Sequence, residues 1–265
     1  MCGLPVMLTP YWPEMAESIL LTRASAFDPD VVEKLEQYVA AGGKALVTSG
    51  FLEATMDRGG IQRMTSIRFT GRRIRGRNYR VETAGEWRPV EYPKGTEEIG
   101  IPVCEFRNNA TWALVKVAES EESFGVLLRD TYGKGQMWTL AVPDNFPDLY
   151  KLPGKALTRI RREFPAGGVY LESRAGISLF PYDNDTFIVY PYSTSQAQPA
   201  SILVHVTGEA EALEMPVRKH PFTGEPVRIE PLYRRNGETV FEVRTTPGRY
   251  ELYRIAGMKK TKDDQ

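Results

Sequence analysis

The apolar and polar positions of this chain follow two regimes. In the first half, short apolar runs alternate with a helical repeat. The order from Ser18 to Leu52 reads strand, loop, helix, tight turn, strand. Ser18 to Thr22 is an apolar run of buried-strand length. Val31, Val32, Leu35, Tyr38 and Val39 recur at helical spacing, with Asp28 placed as N-cap and Pro29 at the first helical position. Gly42-Gly43 ends that helix, and Ala45-Leu46-Val47 returns as a strand. A βαβ unit follows, with parallel strands and a right-handed crossover. Leu4 to Leu8 reads as an earlier strand, and a sheet of this kind is expected to have more chain before it, so the sequence reads as a piece of a longer protein.

After the βαβ unit, Phe51 to Gly60 reads as a linker. Ile67 to Val81 alternates and predicts a hairpin turning near Gly76 and Asn78, while Trp87 to Pro102 is loop-like. Val103–Phe106, Ala113–Val117, Phe124–Arg129 and Gln136–Val142 read as strands, the last two joined through Gly133-Lys134-Gly135. In Asp144 to Phe164, Leu152, Ala156, Leu157, Ile160 and Phe164 fall on one helical face, opposite Lys155, Arg159 and Arg162.

From Val169 the period becomes two. Strands are predicted at Val169–Glu172, Ile177–Tyr182, Thr186–Tyr192, Ser201–Val206, Ala210–Met215, Val227–Pro231, Thr239–Arg244 and Tyr250–Ile255, with turns at Asp183-Asn184-Asp185 and Asn236-Gly237. Short strands separated by turn signals predict an antiparallel sandwich. The expected organisation is an α/β domain over residues 1–165, with an inserted hairpin region around 65–100. An all-β sandwich over 169–256 and a mobile tail at 257–265 follow.

Charge narrows the function. Lys plus Arg is 34 and Asp plus Glu is 34, so the net charge is zero, which argues against a dedicated nucleic-acid binder. The arginine-rich stretch with Arg68, Arg72, Arg73, Arg75, Arg77 and Arg80 is read as a solvated hairpin face that the acidic segment Glu82 to Glu98 can pair. Two cysteines, Cys2 and Cys104, make no disulfide framework and point to a reducing, cytoplasmic setting. No apolar run is long enough for a membrane helix.

Candidate chemistry is sparse. His205 alternates with Val204 and Val206 and is placed on a sheet face; His220 is placed in a turn. No paired ligand spacing suggests a metal, and no cofactor is expected. Ser49-Gly50 lacks the first glycine of a nucleophile elbow and has no histidine in its own domain. Gly133-Lys134-Gly135 lacks the rest of a phosphate loop. Glu14 with Glu17, and Asp144 with Asp148, are the nearest carboxylate pairs for glycoside hydrolysis. Tyr11, Trp12 and Tyr150 are candidate sugar platforms, since flat rings stack on sugar faces. The candidate ligand site is therefore Tyr11, Trp12, Glu14, Asp144 and Tyr150, with no catalytic residue assigned.

The stretch LPVMLTPYWPE, with SILLTRASAFDPDVVEKLEQYVAAGGKALVTSGFL after it, resembles the glutamine-amidotransferase-like domain that follows the catalytic barrel in family 42 β-galactosidases, the trimerisation domain. GKGQMWTLAVPDNFPDLYKLP and the GISLFPYDNDTFIVYPY hairpin extend the resemblance toward glycoside-hydrolase-like proteins. It implies a flavodoxin-like first domain without the amidotransferase cysteine and histidine. It also implies an accessory role in a carbohydrate-active protein, with a homo-oligomer or a neighbouring catalytic barrel as partner. The alternative is a glycan hydrolase working with carboxylates at the strand ends.

Overall fold

A computed structural model describes residues 3–143, 146–165, 167–192 and 199–258. The chain forms two compact units, one of residues 6–156 and the other of residues 157–265 with 1–5. The described part is rich in sheet, mostly antiparallel, and carries few helices.

The first unit opens with the βαβ element. Strands β1 (Ser18–Leu21) and β2 (Lys44–Thr48) pair in parallel, with helix α1 (Val31–Ala41) between them in sequence. The helix starts two residues later than the sequence pattern suggests. Asp30 is its N-cap; Asp28 instead accepts from the Asp30 amide at 2.9 Å and from Lys34 at 2.8 Å. Gly42, at φ +121°, ends it as expected, its amide reaching the carbonyls of Tyr38 and Val39.

The first half of the expected linker after β2 is helical. Helix α2 (Ser49–Thr55) is capped by the Thr48 hydroxyl, which accepts from the Phe51 amide at 3.3 Å. Helix α3 (Ile61–Met64) follows. Leu4 to Leu8 is not a strand; it has no ladder partner, and Pro5 brings no amide donor.

The expected hairpin across Ile67 to Val81 is also absent. Strand β3 (Ile67–Ile74) pairs with β6 (Ile101–Phe106) in a separate ribbon, while β4 (Asn78–Thr83) pairs with β5 (Glu86–Val90) and β7 (Trp112–Glu119). The true turn is Ala84-Gly85, both at positive φ, and it draws Trp87 out of the predicted loop into β5. Strands β8 (Glu122–Tyr132) and β9 (Gly135–Leu140) form the predicted hairpin. The seven-stranded sheet has the order β1-β2-β9-β8-β7-β4-β5, parallel from β1 to β9 and antiparallel beyond. Its core joins Leu35 and Val39 of α1, Phe51 and Leu52 of α2, Ile61 and Met64 of α3, Val47 and Met137 of the sheet, and Cys104 of the ribbon.

Glycine explains the β8–β9 turn. A side chain on Gly135 would stand 2.2 Å from the Val39 carbonyl and 2.3 Å from that of Gly43, so the turn is pressed against the end of α1. The Lys134 amide donates to the Ala40 carbonyl there at 3.1 Å.

Helix α4 (Gly154–Glu163) buries the predicted face, Leu152, Ala156, Leu157, Ile160 and Phe164. Beyond it lie β10 (Val169–Glu172), β11 (Ile177–Pro181), β12 (Thr186–Pro191), β13 (Ala200–Thr207), β14 (Ala212–Lys219), β15 (Pro226–Ile229), β16 (Tyr233–Arg235), β17 (Glu238–Thr245) and β18 (Glu251–Ala256). They form two antiparallel sheets, β10-β13-β17-β16 and β11-β12-β18-β14-β15. Alternate residues of both sheets, among them Leu171, Val204 and Phe241 from one and Leu179, Phe187 and Tyr253 from the other, share one core. The charged end of the chain, residues 259–265, lies outside the described residues, as do Cys2 and Ala166.

Candidate functional site

The sequence-predicted residues of the first unit are placed as follows. Tyr11 is 81% exposed on an irregular segment. Trp12, its neighbour, turns inward; it packs on the first core and meets Tyr38 edge-to-face with centroids 6.1 Å apart. Glu14 is exposed, and its amide donates to the Trp12 carbonyl. Tyr150 lies half-buried in the 3₁₀ turn Phe146–Lys151. Asp144 lies outside the described residues. Asp148, its proposed companion, pairs with Lys151 at 3.0 Å.

Ser49 is buried, and its hydroxyl donates to the Val142 carbonyl, which ties α2 to the end of β9. The arginine stretch is laced to glutamates: Arg68 to Glu105 at 3.2 Å, Arg72 to Glu119 at 3.1 Å and Arg77 to Glu98 at 2.7 Å. Cys104 is buried and free, and burial pushes its thiol up to about 12, so it holds its proton.

A site that sequence reasoning found only in part lies on the outer face of the β10-β13-β17 sheet. Alternation puts His205, Tyr170, Glu172 and Glu238 on that face, because their neighbours Val204, Val206, Leu171 and Phe241 fill the core. Register sets Tyr170 directly opposite His205, and their rings stack with centroids 4.4 Å apart and planes 16° apart. His205 Nδ1 lies 3.2 Å from Glu238 Oε2, and Nε2 lies 3.2 Å from Glu172 Oε2. Tyr170 donates to the same Glu238 oxygen at 2.9 Å, and Arg162 of α4 approaches Glu238 at 3.6 Å.

The electrostatics follow from this geometry. Burial pulls the His205 imidazole down, but hydrogen bonds to Glu172 and Glu238 outweigh it and hold the ring above its ordinary 6.5. Burial likewise raises Glu238, yet the bonds from His205 and Tyr170 bring its carboxyl below the ordinary 4.5. The arrangement holds a proton on an imidazole between two carboxylates. His205 fills the space between them, where a hydrolytic pair would need to admit a glycosidic oxygen. Glu172 and Glu238 are distant from His205 in sequence, so no local spacing announces them.

One buried cation was not visible in the helical pattern. Arg161 of α4 is 1% exposed, and its guanidinium donates to the carbonyls of Leu171, Ser173 and Arg174 and to the Ser173 hydroxyl. Among the described residues, no group of three or more His, Cys, Asp or Glu side chains is placed to hold a metal ion, and no helix is long and apolar enough to cross a membrane.

Residues 168–255 match the family described as "Probable glycosyl hydrolase, C-terminal domain". Among solved structures, the chain is similar to alpha-L-fucosidase isoenzyme 2 from Paenibacillus thiaminolyticus, at 12% identity and a TM-score of 0.49, covering 95% of this chain and 42% of that one. It is also similar to a beta-galactosidase from Bacillus circulans sp. alkalophilus, at 15% identity and a TM-score of 0.41, covering 89% of this chain and 32% of that one. A GH42 beta-galactosidase from G. stearothermophilus matches at 14% identity and a TM-score of 0.40, over 88% of this chain and 32% of that one. The chain thus spans about a third of the length of these beta-galactosidases. No curated protein matches the sequence.

Proposed function

We propose that this chain is a non-catalytic accessory module of a carbohydrate-active protein, used for assembly or for walling a neighbouring active site. The observation that carries the reading is the match of residues 168–255 to a glycosyl hydrolase C-terminal domain. The reading takes the first unit as an amidotransferase-like layer of the trimerisation type. Its support is the parallel run β1, β2, β9 with α1 following β1. A homo-oligomer or an adjacent catalytic domain is the partner, and the cytoplasm the setting, which a free buried thiol at Cys104 suits.

The test combines light scattering after size exclusion with a panel of chromogenic glycosides. The expected result is an oligomer that turns over none of them. Turnover that disappears in Glu14→Gln overturns the non-catalytic reading, and a strict monomer at high micromolar concentration overturns the assembly role.

A further inference from the structure

The outer face of the second sheet carries an aromatic cluster beside a row of ion-paired charges, in which Arg254 and Arg228 both reach Glu214. Its inner positions, Ile177, Leu179, Phe187, Val189, Tyr253 and Ile255, fill the core. Alternation therefore turns Ser178, Phe180, Ile188, Tyr190 and Leu252 outward. Register aligns them in rows across three strands: Phe180 opposite Ile188 and Ile188 opposite Leu252, then Ser178 opposite Tyr190. Tyr250, just before β18, continues the second row. Its ring stacks on Tyr190 with centroids 4.2 Å apart and planes 14° apart. Tyr192 closes the cluster edge-on to Tyr190 at 5.1 Å, its hydroxyl 3.5 Å from Ser178 Oγ. Tyr250 is 67% exposed and Phe180 43% exposed, so the cluster is open to solvent.

We propose that this face binds a neutral oligosaccharide chain, laid across the Tyr190–Tyr250 stack and Phe180. The proposal rests on the accessory reading above and names the ligand class of that module. The charge character of the patch selects the occupant: its polar groups are the hydroxyls of Tyr190, Tyr192 and Tyr250, and the nearest charges on the face, Arg254 and Glu214, are paired with each other. Such a surface offers ring faces to the C–H face of a pyranose and hydroxyls to its hydroxyls. A phosphate or an acidic peptide would have to displace Glu214 from Arg254 to gain a counter-charge. The pre-stacked pair also lowers the ordering cost, because packing on Tyr190 already restrains the Tyr250 ring. A second copy of the chain pressed face to face is the competing occupant.

Affinity electrophoresis of the full chain in gels containing β-glucan, galactomannan or arabinogalactan tests this, with light scattering in parallel. At least one polysaccharide is expected to retard the protein. Tyr250→Ala should weaken retardation about tenfold, whereas Tyr250→Phe, which keeps the ring face, should retain most of it. Phe222→Ala, at an exposed aromatic in the β14–β15 loop, should leave it unchanged, and matching circular dichroism melts confirm that the variants fold. Migration unaffected by all three polysaccharides overturns the proposal, as does retardation insensitive to Tyr250→Ala. An oligomer that Tyr250→Ala and Phe180→Ser dissociate also overturns it, assigning the face to a second copy. Glycoside turnover would overturn the accessory reading alone; absent retardation without turnover overturns only this one.

Discussion

At the scale of single residues, His205 and Arg161 carry the sharpest expectations. The folded imidazole keeps its proton above the ordinary 6.5, so its contribution is full below that pH and is lost as pH rises through the folded value. Glu238 acts in the opposite sense. Its contribution is present above the ordinary 4.5 and is lost as pH falls through its depressed folded value. The urea midpoint of the sandwich should therefore fall between pH 6 and pH 9, and His205→Gln should flatten that slope. A wild-type midpoint that rises over this range would contradict the arrangement. Arg161→Met strands several carbonyls at once and should cost about 3 kcal/mol in urea unfolding, with Arg161→Lys recovering little because an ammonium cannot span them. Neither role could be read from local sequence. Alternation put His205 on a face, but its carboxylate partners come from other strands, and nothing in the sequence sets Arg161 apart from the other cations of its helix.

Among the secondary-structure elements, legibility followed how much of the stabilising pattern is local. Residues 169–256 alternate because one face of each strand fills the shared core, so the eight predicted strands all appear. The missed one, β16, has three exposed residues and no buried face to betray it. The helix α2 was hidden because Gly50 and a short span weaken its signal, while its cap and its burial of Phe51 and Leu52 are tertiary. The arginine stretch alternates, but alternation does not choose a partner, and β3 takes β6 rather than β4. A further element-level clamp joins α1, α3 and β8. Glu36 accepts from Arg63 at 2.8 and 2.6 Å and from Tyr132 at 2.6 Å, bonds that lower its carboxyl to about 2. Glu36→Gln should cost roughly 1 kcal/mol at pH 7, since Arg63 is well exposed to solvent. The cost should shrink as pH falls from 4.5 toward about 2, where the wild-type carboxylate itself is neutralised. Gly135→Ala should be worse, about 3 kcal/mol in denaturant unfolding, because backbone carbonyls occupy the space.

For the molecule as a whole, the division into two compact units sets the expected unfolding behaviour. Differential scanning calorimetry should resolve two transitions. His205→Gln should move only the one belonging to the sandwich, and Glu36→Gln only the one belonging to the first unit. A single transition shifted equally by both variants would show that the units melt together. The change of period after the last helix marks where the sandwich strands begin, whereas the two units divide within α4, between Ala156 and Leu157. The function was less visible, because no concentrated catalytic signature stands in the sequence, and the family match covers residues 168–255 alone.

The buried thiol of Cys104 offers a built-in clock. It sits on β6 with its sulfur shielded and its proton held, so an alkylating reagent can reach it only while the β3–β6 ribbon is momentarily peeled from the core. The speed at which iodoacetamide marks the peptide containing Cys104 would then report how often that ribbon lets go, with no residue substituted to create the reporter.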